Sequence, residues 1–194
     1  MEIKVIDKNT FPQFQKLVRE YLPDTEEEQL LFHFEKSPWS YLGLFLQHKL
    51  IGVVFGWEST VGKETGQFVL QGIAIDWEHK ANGLGGALLN RWEKEVFQHG
   101  YSSVGVGSAD GYVEKFYIQQ GYVPKEYKAF DNQGRAHVKE IESTEQYHTI
   151  DRDAVIQAAD GNKGFIVFEK SEFVATYGEP AGEKINNEKS DFGG

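Results

Sequence analysis

The sequence predicts an α/β fold built on a mixed sheet, and three features carry that expectation. Apolar stretches of strand length alternate with amphipathic stretches of helix length along most of the chain. One stretch, GIAIDWEHKANGLGGALLNRW from Gly72 to Trp92, sets an apolar strand against a glycine-rich turn that opens directly into an amphipathic helix. Two strand pairs joined by short polar turns call for antiparallel neighbours, which a doubly wound parallel sheet does not have.

Size and composition agree. A chain of 194 residues is long enough to bury a real core, and 40% apolar content with 14% aromatic content places it among globular proteins. No apolar run approaches the ~20 residues of a membrane span. The opening MEIKVIDKNT lacks the apolar centre of a signal peptide, so the expected address is the cytoplasm, with no membrane partner. There is no cysteine, which removes disulfides, thiolate metal sites and a cysteine nucleophile. A net charge of −10 repels phosphate backbones and argues against a nucleic-acid partner.

Taken in order, Glu2 to Asp7 reads as a first strand. Thr10 is placed to cap a helix running to about Tyr21, with Pro12 in its first turn and Phe14, Leu17, Val18 and Tyr21 on one face. Pro23-Asp24 breaks it. A second helix starts near Thr25, carries Leu30, Leu31 and Phe34, and stops before Pro38. Tyr41 to Gln47 and Leu50 to Glu58 form a hairpin with His48-Lys49 as its turn, and Gln67 to Asp76 is the next strand. Gly83 to about Phe97 is the clearest helix, with Leu84, Leu88, Leu89, Trp92 and Val96 as its buried stripe and His99-Gly100 at its end.

Ser103 to Val106 is then a short strand, and Asp110 caps a helix through Gln120 that Gly121 terminates. Tyr122 to Phe130 is extended, Asp131-Asn132-Gln133-Gly134 is a turn, and Arg135 to Ile141 pairs back. A short helix over 151–159 and a strand from Gly164 to Lys170 complete the order. The expected domain is 1–177, and the Gly-, Glu- and Asn-rich remainder, 178–194, is expected to be a flexible acidic tail.

The glycine turn aims backbone N–H groups and a helix N-terminus at one point, where a phosphate can sit. It is no Walker A loop, since no Gly-Lys-Ser/Thr follows. As a dinucleotide fingerprint it is poor: Gly83-x-Gly85 is present, but Leu88 stands where a third glycine or alanine belongs. A purely structural turn, with glycines for close helix–strand packing, is the competing reading. The stretch IAIDWEHKANGLGGALL resembles motif A of the GCN5-related N-acetyltransferases, the GNAT superfamily. That pattern is an apolar strand, a polar turn, Arg/Gln-x-x-Gly-x-Gly/Ala, then a helix. Lys80-Ala81-Asn82-Gly83-Leu84-Gly85 fits it with one departure, lysine for arginine or glutamine. Lysine still supplies positive charge, as a point and not a fork.

Downstream, SADGYVEKFYIQQGYVP from Ser108 to Pro124 contains Phe116-Tyr117-x-x-x-Gly121-Tyr122, similar to the family's motif B. Core packing explains Phe116, Gly121 and Tyr122 by itself; it does not explain a hydroxyl at Tyr117. The resemblance is tightest from Ile73 to Tyr122, and its implications are specific. The fold would be the GNAT acyl-CoA N-acyltransferase fold with an extra hairpin and helix inserted before the last strand. Acetyl-CoA would be the co-substrate, with no metal. Its pyrophosphate would meet Lys80, Ala81, Gly83, Gly85 and Gly86. Its pantetheine arm would pair with the strand edge at Ile73 and Ile75, and Asp110, otherwise a helix cap, would stand where an asparagine often contacts that arm. Tyr117 would be the catalytic acid toward the coenzyme A thiolate.

No base is expected on the strand Gln67 to Ile75, whose one interior polar side chain is Gln71. Glu58, Glu78 and His79 read equally well as solvated residues. The six histidines lack metal-ligand spacing. Glu26-Glu27-Glu28 reads first as an acidic opening helical turn and second as an attraction for a cationic amine. Trp39, Tyr41 and Tyr127 read first as core and second as pocket lining. The expected activity is transfer of an acetyl group from acetyl-CoA to a primary amine of a small molecule, in a ternary complex. A homodimer is compatible with it. The alternatives are a non-catalytic acyl-CoA sensor and an enzyme acting on protein or peptide amines.

Overall fold

The computed structural model describes residues 1–60, 62–80 and 82–172, so the expected tail 178–194 and Ala81 lie outside the described residues. The described chain divides inside its fifth strand into two units, 1–104 and 105–172.

In the first unit, strands β1 (Glu2–Val5), β2 (Tyr41–Leu46), β3 (Lys49–Glu58) and β4 (Gln67–Ile75) pair antiparallel in that order. Helix α1 (Phe11–Tyr21) follows β1, and its start differs in chemistry from the expectation. Thr10 stands at the boundary with helical dihedrals and makes no side-chain cap; the Asp7 carboxylate instead accepts both the Thr10 N–H (2.8 Å) and the Thr10 hydroxyl (2.9 Å). Helix α2 (Glu27–Lys36) buries Leu30 and Phe34 but leaves Leu31 43% exposed, because only the i, i+4 pair faces the core. The β2–β3 turn sits one residue earlier than expected, on Gln47-His48. Both have positive φ (49° and 68°), the geometry of a type I′ hairpin.

Phe11, Phe14, Phe34, Tyr41 and Phe55 make the aromatic centre of this core, with Phe11 and Phe34 stacked at 4.1 Å. Tyr41, expected as core or pocket, is core: its hydroxyl donates to the Leu30 carbonyl (2.8 Å). Trp39 stacks on His99 at 3.8 Å. Helix α4 (Leu84–Gln98) buries Leu88, Leu89, Trp92 and Val96, while Leu84 is half-buried. The Trp92 indole N–H donates to the Ser40 carbonyl (2.9 Å). Its ring passes so close to Gly56 that any Cβ there would collide with the Val69 carbonyl and the indole. A short helix α3 (Gly62–Thr65), not expected from sequence, precedes β4. Gly100, at φ 92°, ends the α4 segment as expected.

In the second unit, β5 (Ser103–Ser108) leads to α5 (Gly111–Gln119), and β6 (Val123–Phe130), β7 (Ala136–Glu140) and β8 (Phe165–Ser171) follow. Strand β6 pairs antiparallel with β7 on one side and β8 on the other, and β5 lies beyond β8. The β6–β7 turn is held by Asp131, whose carboxylate accepts the Gln133 and Arg135 N–H groups (both 2.9 Å), the Arg135 Nε and the His137 ring. Between β7 and β8 lie two helices where one was expected: α6 (Thr144–Thr149) and α7 (Arg152–Ala158). The missed helix carries its own start signal: Ser143 accepts the Gln146 N–H, and the Gln146 side chain accepts the Glu142 N–H (2.7 Å).

Candidate active site

The strand-turn-helix in the first unit presents backbone N–H groups at the start of a helix. Asp76 closes β4 by accepting the His79 N–H and facing the His79 ring (2.6 Å). Gly83 then caps α4 in the left-handed region, φ 71° and ψ 10°, which non-glycine residues rarely adopt. The first intrahelical bond runs from Ala87 N–H to the Gly83 carbonyl (3.2 Å), so the N–H groups of Leu84, Gly85 and Gly86 precede the helical ladder. Space is open above Gly83: a Cβ there would meet no atom within 4 Å. Gly85 is buried and Gly86 half-buried, so one glycine serves close packing while its neighbour borders the turn. Lys80 rests its ammonium 3.7 Å from the Trp77 ring centroid, and Trp77 is 72% exposed. Lys80 thus stands beside the turn on an exposed aromatic platform.

Strand β4 supplies two further features. Asp76 N–H bonds to the Ile51 carbonyl (2.8 Å), which fixes the alternation of the β3–β4 ladder. Ile73 and Ile75 are then non-bonded pairs with Val54 and Gly52, so their N–H and C=O groups point to the side of β4 away from β3, where β5 is the next strand. The register also slips between Phe55 and Gly56, which makes Gln71 the extra residue of a β-bulge. Sequence reasoning singled out Gln71 as the polar residue of this strand but gave no sign of the bulge, since register depends on the partner strand.

Gln71 borders a cavity of about 460 Å³ walled by residues 21–26, Gln29, Trp57 and itself. Asp24, Glu26, Tyr21 and Trp57 line this space, and among the described residues no lysine, arginine or histidine belongs to its lining. His33 covers one face of Trp57 (4.2 Å, 10°). Of the Glu26-Glu27-Glu28 run, only Glu26 lines the cavity; Glu27 pairs with Arg19 (2.6 Å) on the surface.

In the second unit, the Asp110 carboxylate accepts the Tyr112 N–H (2.8 Å) as the N-cap of α5. Gly121, at φ 88°, ends that helix. Tyr117 is 5% exposed, among Tyr122 (5.5 Å), Phe168 (5.9 Å) and Phe116 (5.4 Å). Burial pushes its phenol well above the ordinary tyrosine range, so it stays protonated at any physiological pH. Such a group donates hydrogen bonds and cannot act as a base.

Two of the three base candidates are already engaged. Glu58 accepts the Tyr101 hydroxyl, a phenol raised above its ordinary range by burial first and by the Glu58 charge second, and His79 faces Asp76. Glu78 is exposed. Tyr127 is core: it is 4% exposed, and its hydroxyl accepts the Gly164 N–H (3.1 Å). Among the described residues no group of acidic or histidine side chains has metal-binding geometry, and no helix is long and apolar enough to cross a membrane. One network escaped sequence reasoning altogether. Glu114, 2% exposed on α5, accepts both arms of the Arg152 guanidinium and the Tyr147 hydroxyl.

Comparison with known proteins gives this geometry its context. Residues 7–122, more than half of the chain, match the model of the Acetyltransferase (GNAT) family. A comparison with curated protein sequences finds no match. Among solved structures, a Drosophila melanogaster polyamine N-acetyltransferase is similar at 10% identity and a TM-score of 0.62, over 88% of this chain and 99% of that one. A ribosomal-protein-alanine N-acetyltransferase from Brucella melitensis is similar at 10% identity and a TM-score of 0.60, over 88% and 99%. Arabidopsis thaliana Naa50, solved with a coenzyme A bisubstrate analogue, is similar at 13% identity and a TM-score of 0.62, over 88% and 97%. Likeness at these identities speaks for the fold, and the three differ in acceptor.

Proposed function

From the premise that this chain belongs to the GNAT acetyltransferase family and is an acetyl-CoA-dependent N-acetyltransferase, we propose that its acceptor is the primary amine of a small cationic molecule. The observation that carries the acceptor assignment is the cavity bordered by Gln71. Its volume falls within the range of small-molecule sites. Its carboxylate residues, Asp24 and Glu26, with no basic residue among the described residues of its lining, favour a cation and repel a carboxylate-bearing acceptor.

The chain's own residues then divide the work. The N–H groups from Leu84 to Gly86, the α4 dipole and Lys80 hold the cofactor's pyrophosphate, and Gly83 keeps the approach free of a side chain. Ala81 belongs to the same proposed cradle, though it lies outside the described residues. The outward N–H and C=O groups of Ile73 and Ile75 receive the amide-bearing arm. Asp110 retains its second carboxylate oxygen for that arm beside its capping role. The amine, having lost its ammonium proton to solvent, attacks the acetyl carbonyl carbon; the C–N bond forms, the C–S bond breaks, the nitrogen gives up a second proton to solvent to become the amide, and coenzyme A leaves as thiolate. Tyr117 donates a hydrogen bond to that sulfur as negative charge develops. The burial that keeps it protonated also opposes a full tyrosinate, so its contribution is hydrogen-bond donation to the departing thiolate, with the sulfur taking its final proton from solvent.

The test is thiol release from acetyl-CoA against diamines, neutral monoamines, amino acids and short peptides. Turnover highest with diamines, with a raised KM and unchanged kcat for D24N/E26Q, is expected. Turnover confined to peptide N-termini would move the assignment to protein amines, and tight cofactor binding without acceptor-dependent release would favour a sensor.

A further inference from the structure

Helix α5 carries Tyr117 and is only nine residues long, too short to hold its orientation by its own hydrogen bonds. It is fastened at both ends by buried charge. At its C-terminal end, Lys170 of β8, 7% exposed, donates to the Gln120 carbonyl (2.8 Å). In its first turns, Glu114 receives three donors from the segment between β7 and β8: Arg152 Nη1 on Oε2 (3.0 Å), Arg152 Nη2 on Oε1 (2.8 Å) and the Tyr147 hydroxyl on Oε1 (2.9 Å). A guanidinium that spans both carboxylate oxygens fixes rotation as well as distance. The guanidinium is held in turn by the Tyr127 and Tyr147 rings, at 5.5 and 5.9 Å. Helix α7 is seated on β6 and β7, with Val155 and Ala159 buried.

Glu114 and Tyr117 are three residues apart and share a face of α5. We propose that Glu114, Arg152 and Tyr147 form a positioning clamp, through which the inserted segment sets the orientation of α5 and with it the Tyr117 hydroxyl during acetyl transfer. This rests on the reading of Tyr117 as the donor to sulfur. An ion pair with one buried partner is poor evidence of a stabilising role, because apolar residues of similar volume commonly replace buried pairs without loss of stability. Orientation is what a bidentate pair adds, and a displacement of about 1 Å in a reacting group can cost on the order of a hundredfold in rate.

The experiment is a double-mutant cycle on kcat, read by thiol release with saturating acetyl-CoA. R152A is expected to lower kcat at least about tenfold, with the acetyl-CoA KM changed by less than about twofold. In a Y117F background the same R152A change is expected to cost less than about twofold, because the group it positions is gone. Equal losses in both backgrounds would overturn the proposal, as would full kcat for R152A. Should R152A fold poorly, E114M/R152M keeps the volume without the fork. A native melting temperature with depressed kcat supports the clamp, and wild-type kcat overturns it. Fully active Y117F would sink the reading of Tyr117 and the clamp together; impaired Y117F with fully active R152A sinks the clamp alone.

Discussion

Replacing Gly83 by alanine separates the conformational role of the turn from its binding role. The residue sits at φ 71°, ψ 10°, and a Cβ meets nothing within 4 Å, so no clash contributes. What remains is the left-handed backbone, which costs a non-glycine residue about 1–2 kcal/mol. In a chain of this size each kcal/mol lowers the melting temperature about 2–4 °C. Without ligand, G83A is therefore expected to melt roughly 2–8 °C below wild type. Asparagine tolerates the left-handed region and caps helices well, so G83N is expected within about 2 °C of wild type. Both side chains enter the space ahead of the α4 N–H groups, so both should weaken coenzyme A binding, by about tenfold for alanine. Thermal denaturation and titration calorimetry read the two effects separately. An unchanged melting temperature for G83A would show that the turn does not adopt this backbone. Unchanged affinity in both variants, with the expected melting shifts, would remove the phosphate from this turn.

Three further outcomes follow from packing and titration. G56A drives a methyl group into the Val69 carbonyl and to 2.7 Å from the Trp92 ring, and should cost about 3 kcal/mol in urea unfolding; a loss near zero would contradict the packing described. Y41F removes the bond to the Leu30 carbonyl while sparing the ring, and should cost about 1 kcal/mol in the same measurement, against a larger loss for Y41A. Asp131 is held below its ordinary value of 3.8 by His137, Arg135 and backbone N–H donors. Its contribution is therefore complete above that pH and lost as pH falls toward its folded value. The stability gap between wild type and D131N should narrow as the pH is lowered from 5 to 3, and a gap that widens would refute the sign.

Much of this is legible in the sequence, because the signals are local. Asp110 and Asp151 cap helices through their own neighbours, two and three residues on. Gly100 and Gly121 adopt positive φ where the chain needs to leave a helix, and Gly83 where it enters one. Strand-turn-helix order and the two motifs, each set by a handful of adjacent residues, put the glycine turn between a strand and a helix and Tyr117 on a helix, where the structure has them. Local chemistry also misled where two neighbours compete: Leu30 and Leu31 are equal in hydropathy, and only the partner surface decides which is buried.

Tertiary structure decided what depends on chain segments far apart. The bulge at Gln71 exists because β3 pairs on both sides of it, and no property of β4 alone announces an extra residue. The cavity beside it joins the α1–α2 connection to Trp57 and Gln71 across the sheet. Glu114 meets Tyr147 and Arg152 from 33 and 38 residues away, so its charge reads as an ordinary surface charge until the fold buries it and brings those two donors to it. Sequence sets which conformations each segment prefers; burial and pairing, which sum over distant residues, choose which polar groups must satisfy each other.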